Sequence, residues 1–167
     1  MTVKGCSSFE RAASVVTELS YEAGVACLAL LGVASGAQTL VGAFSVLAAE
    51  QIPVLMIAHG ETAVGGYTIS IATKEAHAAR AYRAFRSFAD RLSYNTLVEE
   101  TGLARISLSG VGMVSNPGVA SRMFVALQDV RATVRMLSTS EMKISCVIDG
   151  RLLHRAVRSV DAAFSNT

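Results

Sequence analysis

The sequence predicts an α+β protein built of two ferredoxin-like βαββαβ units in tandem, and three observations carry that expectation. The first is self-similarity. "LALLGV" (28–33), "AFSVL" (43–47), "VLMIAHGE" (54–61), "YTISIAT" (67–73) and "ARAYRAF" (79–85) are answered in the same order by "ISLSGV" (106–111), "MFVAL" (123–127), "VRMLSTSE" (134–141), "MKISCVI" (142–148) and "HRAVRSV" (154–160). The second is the hydrophobic period, which changes within each copy from strand-like to helical and back. The third is size: 167 residues accommodate one ordinary domain or two small ones.

The elements follow in order. The run 24–49 carries no charged residue and is long enough to be mistaken for a membrane span. Its glycines, Ser35 and Gln38 divide it instead into a strand, a turn and a buried helix. Strands are expected at 54–61 and 67–73, then a helix on which Tyr82, Phe85 and Phe88 share one core-facing side. Thr96 to Glu100 is the candidate fourth strand of the first unit. In the second unit 105–111 reads as a strand, 119–130 as a helix, and 133–137 and 143–148 as strands. A last helix has Leu152, Leu153, Ala156, Val157, Val160 and Phe164 on one side and Arg151, Arg155, Arg158 and Asp161 on the other. No tail remains for a fourth strand in this unit, and Val15 to Leu19 are the residues that can fill its place. The expected division is an N-terminal segment 1–20 that completes the second unit, a first unit 21–100 and a second unit 101–167, with the boundary near 93–103.

Composition narrows the function classes. Hydrophobic residues make up 51% and charged residues 17%, with mean hydropathy +0.44, so apolar surface is expected to be covered between subunits: a homodimer, with sheets extended side by side. The 15 basic and 13 acidic residues are scattered, which gives nucleic acid no basic footprint. With no membrane partner and no leader-like N-terminus, the expected location is cytoplasmic. Cys6, Cys27 and Cys146 lack metal spacing, and His59, His77 and His154 share no helix or strand face, so neither metal nor cofactor is expected. Glu99, Glu100 and Glu141 form no acid–base pair with a nucleophile, and no catalytic residues are assigned.

The most informative loop is "SLSGVGMVSNPGVASRMF" (107–124), a strand running through glycines into a helix. No Walker lysine follows Gly118. Backbone N–H groups at a helix start attract an anion, Pro117 stiffens the approach and Gly118 lets a ligand near the backbone. A small carboxylate fits there as naturally as a phosphate. A capped turn of any βα connection explains the same residues without a ligand.

Taken together, "GVGMVSNPGVASRMFVAL", "VRMLSTSEMKISCVI" and "HRAVRSVDAAF" closely resemble the C-terminal regulatory region of aspartokinase, in which two ACT domains bind an end-product amino acid, lysine or threonine in most members. The resemblance is strong over 105–164 and weaker over 24–85, and the phosphate signature of the kinase domain is not found. It implies an effector site with Met113, Ser115, Asn116, Gly118 and Val119 on the loop side, Thr133, Val134 and Arg135 as the opposite wall, and Ser138, Thr139, Ser140 and Glu141 completing it. Family members that bind lysine through this unit often carry an acid near Arg135. An arginine there opposes a cationic side chain, which favours threonine or another non-lysine effector, lysine remaining possible. The loop of the first copy, "VASGAQTLVG" (33–42), lacks Asn-Pro-Gly; either it is empty, with Gln38 and Thr39 offering polar groups, or its apolar helix serves assembly. The function implied is a non-catalytic, amino-acid-sensing regulatory subunit or fragment of an aspartokinase, with a catalytic chain as possible partner. The alternative is a stand-alone ACT repeat recruited as a small-molecule-binding protein or enzyme.

Overall fold

The computed structural model describes residues 15–34, 36–62, 65–111, 113 and 115–165; Cys6, Ser35 and most of the 1–20 segment lie outside them. The elements are β1 (Val16–Val33), α1 (Gly36–Ala49), β2 (Met56–Glu61), β3 (Tyr67–Lys74), α2 (Glu75–Ser87), α3 (Ala89–Leu92), β4 (Thr96–Gly110), α4 (Pro117–Asp129), β5 (Met136–Thr139), β6 (Lys143–Asp149), a 3-10 turn (Gly150–Leu152) and α5 (Leu153–Ser165). Two compact units emerge: a first repeat, Gly24–Leu103, and a second that begins at Ala104 and also takes the chain up to Ala23.

In the first repeat the strands lie in the order β2-β3-β1-β4. Antiparallel pairing sets Leu28 opposite Ile71 and Leu30 opposite Ile69. Side chains alternate across a strand, so Leu28, Leu30, Ile69 and Ile71 all point to one face, where Ala43, Leu47, Ala81 and Phe85 of α1 and α2 bury them. On α2 the buried Ala78, Ala81 and Ala84 let the helix lie close, and Phe85 fills the remaining depth. Phe88 does not join this core: it is 39% exposed, because α2 ends at Ser87 and the backbone there has left the helical face.

The second repeat has the order β1-β4-β6-β5, the same arrangement with the N-terminal half of β1 standing as fourth strand. Val15, Val16 and Leu19 pack against its core of Ile106, Leu108, Ile144, Cys146 and Ile148 under Met123, Leu127, Ala156 and Val160. The Thr17 hydroxyl donates to the Ser109 carbonyl at 3.2 Å, and Arg105 meets Glu22 at 2.8 Å. Burying a side chain such as Met123 or Leu127 contributes about 1.5–3 kcal/mol.

Where the sequence suggests separate strands at 15–19 and 28–33, and again at 96–100 and 105–111, the structure has single strands of 18 and 15 residues. The connecting residues contain no turn chemistry beyond one glycine each. Those glycines, Gly24 and Gly102, both sit at φ +70°, a left-handed kink that glycine adopts without a Cβ penalty, where each strand passes from one repeat to the other. The apolar run 24–49 resolves into the end of β1 and α1, and among the described residues no helix is long and apolar enough to cross a membrane.

Candidate functional site

Strand β4 delivers the glycine loop to one end of the second repeat, and the β5–β6 turn arrives at the same end. The Gly110 N–H donates to the Met142 carbonyl at 2.9 Å, which fixes the loop's first residue to that turn. The turn is closed by the Ser140 N–H donating to the Lys143 carbonyl at 2.8 Å. Beyond the loop, the Asn116 N–H reaches the Met113 carbonyl at 3.2 Å and the Val119 N–H reaches the Asn116 carbonyl at 3.0 Å, so the chain curls directly into α4 with Pro117 in its first turn.

Between loop and turn lies a cavity of about 200 Å³, lined by Met113, Asn116, Pro117, Ala120, Thr139, Ser140 and Ile144. That is room for about six or seven waters, the size of one small amino acid. Met113 and Ile144, 3% and 5% exposed, make an apolar floor, while Asn116, Thr139 and Ser140 put amide and hydroxyl groups at the rim. None of the seven side chains is charged, so the electrostatic bias comes from the start of α4, whose first-turn amides present partial positive charge. Pro117 has no N–H and that of Val119 is engaged, which leaves Gly118 and Ala120 as first-turn donors for an anion.

Of the residues that the sequence nominated, the structure brings Met113, Asn116, Thr139 and Ser140 together here. Ser115 and Glu141 flank the cavity as exposed residues, Ser138 is exposed on β5, and Gly118 and Val119 sit inside the first turn, Val119 fully buried in the core. Thr133, Val134 and Arg135 do not form an opposite wall. They precede β5 at the far end of α4, because in a βαβ crossover the second strand starts where the helix finishes. The Arg135 N–H donates to the Val147 carbonyl at 2.7 Å. Its guanidinium acts on Asp149, whose carboxyl is held down at about 2 first by side-chain hydrogen bonds from Arg151, then by the Arg151 backbone N–H, with the charge of Arg135 assisting. Pro117, Ala120 and Ile144 were not nominated, although the small Ala120 one turn beyond Asn116 is a readable signal of space.

The remaining titratable groups give no competing centre. Burial pushes the Cys146 thiol up to about 12, which leaves it a packed hydrophobe rather than a nucleophile. His59 stacks on Tyr67 with ring centroids 5.3 Å apart, and His77 lies 3.2 Å from an Arg80 nitrogen. At the corresponding helix start of the first repeat the Thr39 hydroxyl, 2% exposed, points into the core and donates to the Leu92 carbonyl at 2.8 Å. A second cavity of about 200 Å³ lies elsewhere in that repeat, among Gly42, Ser45, Val46, Ala49, Phe88, Arg91 and Leu92, and is mostly apolar.

Residues 106–164 match the ACT domain family. Aspartokinase 2 of Bacillus subtilis is 34% identical over 152 residues, which is 90% of this chain and 36% of that protein. The chain thus spans about a third of the length of the curated relatives it matches. Among solved structures, the ligand-free regulatory subunit of aspartate kinase from Thermus thermophilus superposes with a TM-score of 0.81 at 28% identity, covering 90% of this chain and 99% of that one. Aspartate kinase from Synechocystis gives 0.84 at 30% identity over 91% of this chain and 27% of that one.

Proposed function

Residues 106–164 are an ACT domain and the chain as a whole is a relative of the aspartokinase regulatory region, and on that premise we infer that it senses a free amino acid in the cavity of its second repeat. The observation that supports this most is the meeting of a helix start, an uncharged polar rim and an apolar floor in a space of about 200 Å³. An α-carboxylate is matched by the amides of Gly118 and Ala120. An α-ammonium is matched by the hydroxyls of Thr139 and Ser140. The side chain then faces Met113 and Ile144, where a charge would lose its hydration with no partner. The effector is therefore a small neutral amino acid such as threonine or methionine rather than lysine. This preference rests on the uncharged lining and not on Arg135, which lies at the other end of α4.

The role that follows is allosteric. A ligand bound by loop and turn together stabilises whichever arrangement of the repeat holds them in contact, and an associated catalytic chain would read that population shift. Calorimetry against threonine, methionine, lysine and aspartate tests the reading, with Ala120→Phe as the variant that fills the cavity. A neutral amino acid is expected to bind and to lose at least about tenfold in affinity in the variant. Tight lysine binding, or neutral binding that ignores Ala120→Phe, sinks the assignment.

A further inference from the structure

The second repeat carries charge that its fold does not require. At the end remote from the cavity, the connections α4–β5 and β6–α5 and the first turn of α5 hold Arg131, Arg135, Arg151 and Arg155, all exposed. The carboxylates on these same connections are Asp129, at the close of α4, and Asp149, already bonded to Arg151 through Nε at 3.0 Å and 3.1 Å, while on the sheet Glu22 is paired with Arg105 at 2.8 Å. Four guanidinium groups thus stand against two carboxylates, with His154 the one further titratable side chain on the start of α5.

The first repeat serves as an internal control for what this region needs. Gln51 and Arg131 hold the same left-handed turn, at φ 52° and 58°. The next residues, Ile52 and Ala132, each donate a backbone N–H at 2.9 Å to the helix, to Leu47 and Leu127 respectively. Leu55 donates to the Ala72 carbonyl at 2.8 Å just as Arg135 donates to Val147 at 2.7 Å. By the same alignment Ala76 stands where the second repeat has Arg151. Glutamine, leucine and alanine therefore build the same connections with equivalent backbone hydrogen bonds, without the Asp149 cap on the Arg151 N–H. The backbone of these connections thus needs none of Arg131, Arg135 and Arg151, whereas Arg155 is matched by Arg80 in the first repeat, and a left-handed turn gives arginine no conformational advantage.

We propose that this arginine end is a docking surface for a partner protein that presents clustered carboxylates. Arginine is suited to that partner because its planar fork pairs bidentately with a carboxylate. Asp149 weighs against a compact phosphate, since its carboxylate, bonded to Arg151 and within the field of Arg135, would repel a multiply charged anion seated there. An extended acidic surface instead places its carboxylates on the outer guanidinium edges and leaves Asp149 bonded to Arg151. The inference does not rest on the amino-acid cavity, which lies at the opposite end of α4.

The test is fluorescence anisotropy of a labelled deca-glutamate peptide with the full chain at low and at raised salt. The variant is Arg131→Gln, Arg135→Leu, Arg151→Ala, which installs the first repeat's residues. The expected result is binding at least about tenfold weaker than that of the unsubstituted chain, with most of the salt dependence gone and cooperative melting retained. Arg83→Gln with Arg86→Gln, on the exposed side of α2, is expected to bind as the unsubstituted chain does. If the triple variant does not fold, Arg151→Ala alone, at a side chain 88% exposed, is expected to weaken binding about threefold. Unchanged binding in the triple variant, an equal loss in the α2 variant, or displacement of the peptide by tripolyphosphate at lower concentration than by free deca-glutamate overturns the proposal.

Discussion

Asn116, the residue just before α4, and Ala120 in its first turn both line the cavity, which is why an amide and a small gap occur side by side there. Met113, Asn116, Thr139 and Ser140 were legible in the sequence through the family resemblance, and they meet because the β4–α4 loop and the β5–β6 turn lie at one sheet end. Thr133 to Arg135 were misplaced because the family resemblance suggested a wall there, whereas strand direction puts the start of β5 at the opposite end. Arg135 belongs instead to the neighbourhood of Asp149, and this has a measurable consequence. Side-chain NMR titration should find Asp149 ionising at about 2, against 3.8 for an unperturbed aspartate, and Arg151→Ala should return it upward. A depressed carboxyl favours the folded state above its unfolded pKa and loses that contribution as pH falls through its folded one, so the Asp149–Arg151 contact weakens only between about 4 and 2. An Asp149 that titrates normally would remove the pair as an ordered feature.

At the scale of elements, the strands and helices of both repeats follow from period and burial, and the equivalences are close. Ala43, Val46 and Leu47 are buried on α1 as Met123, Ala126 and Leu127 are on α4. What the sequence concealed is that β1 and β4 are continuous, since a positive-φ glycine inside a strand looks like a turn glycine between two strands. The junction of the N-terminal half of β1 with β4 depends on Gly110, where an added Cβ would collide with the Val15 carbonyl oxygen. Backbone cannot move aside as a flexible side chain can. Gly110→Val is therefore expected to destabilise the protein by about 1–3 kcal/mol, measured by urea unfolding, and to increase amide exchange along 15–23 before any change in the first repeat. A neutral substitution would mean that this pairing contributes little.

Over the whole molecule, one sequence unit written twice has diverged in use. In the first repeat Thr39 at the helix start is turned inward onto the Leu92 carbonyl, and the second repeat has a cavity lined by loop and turn. Both leave an edge strand with an exposed apolar residue at the same position, Ile57 on β2 at 47% and Leu137 on β5 at 44%. Exposed strand edges with apolar side chains seek a partner. Sedimentation is accordingly expected to find a dimer at micromolar concentration that Ile57→Lys with Leu137→Lys weakens; a stable monomer would mean that these edges are tolerated bare. The claim on which the functional reading turns is that the second repeat, through the loop and turn at one end of α4, holds a small neutral amino acid. Chemical-shift mapping of backbone amides during titration with threonine and with methionine addresses it directly. The account predicts, for at least one of them, saturable shifts centred on Gly118, Ala120, Thr139 and Ser140, with the helix start around Gln38 and Thr39 silent. Shifts centred on the first repeat, or none with either amino acid, would contradict it.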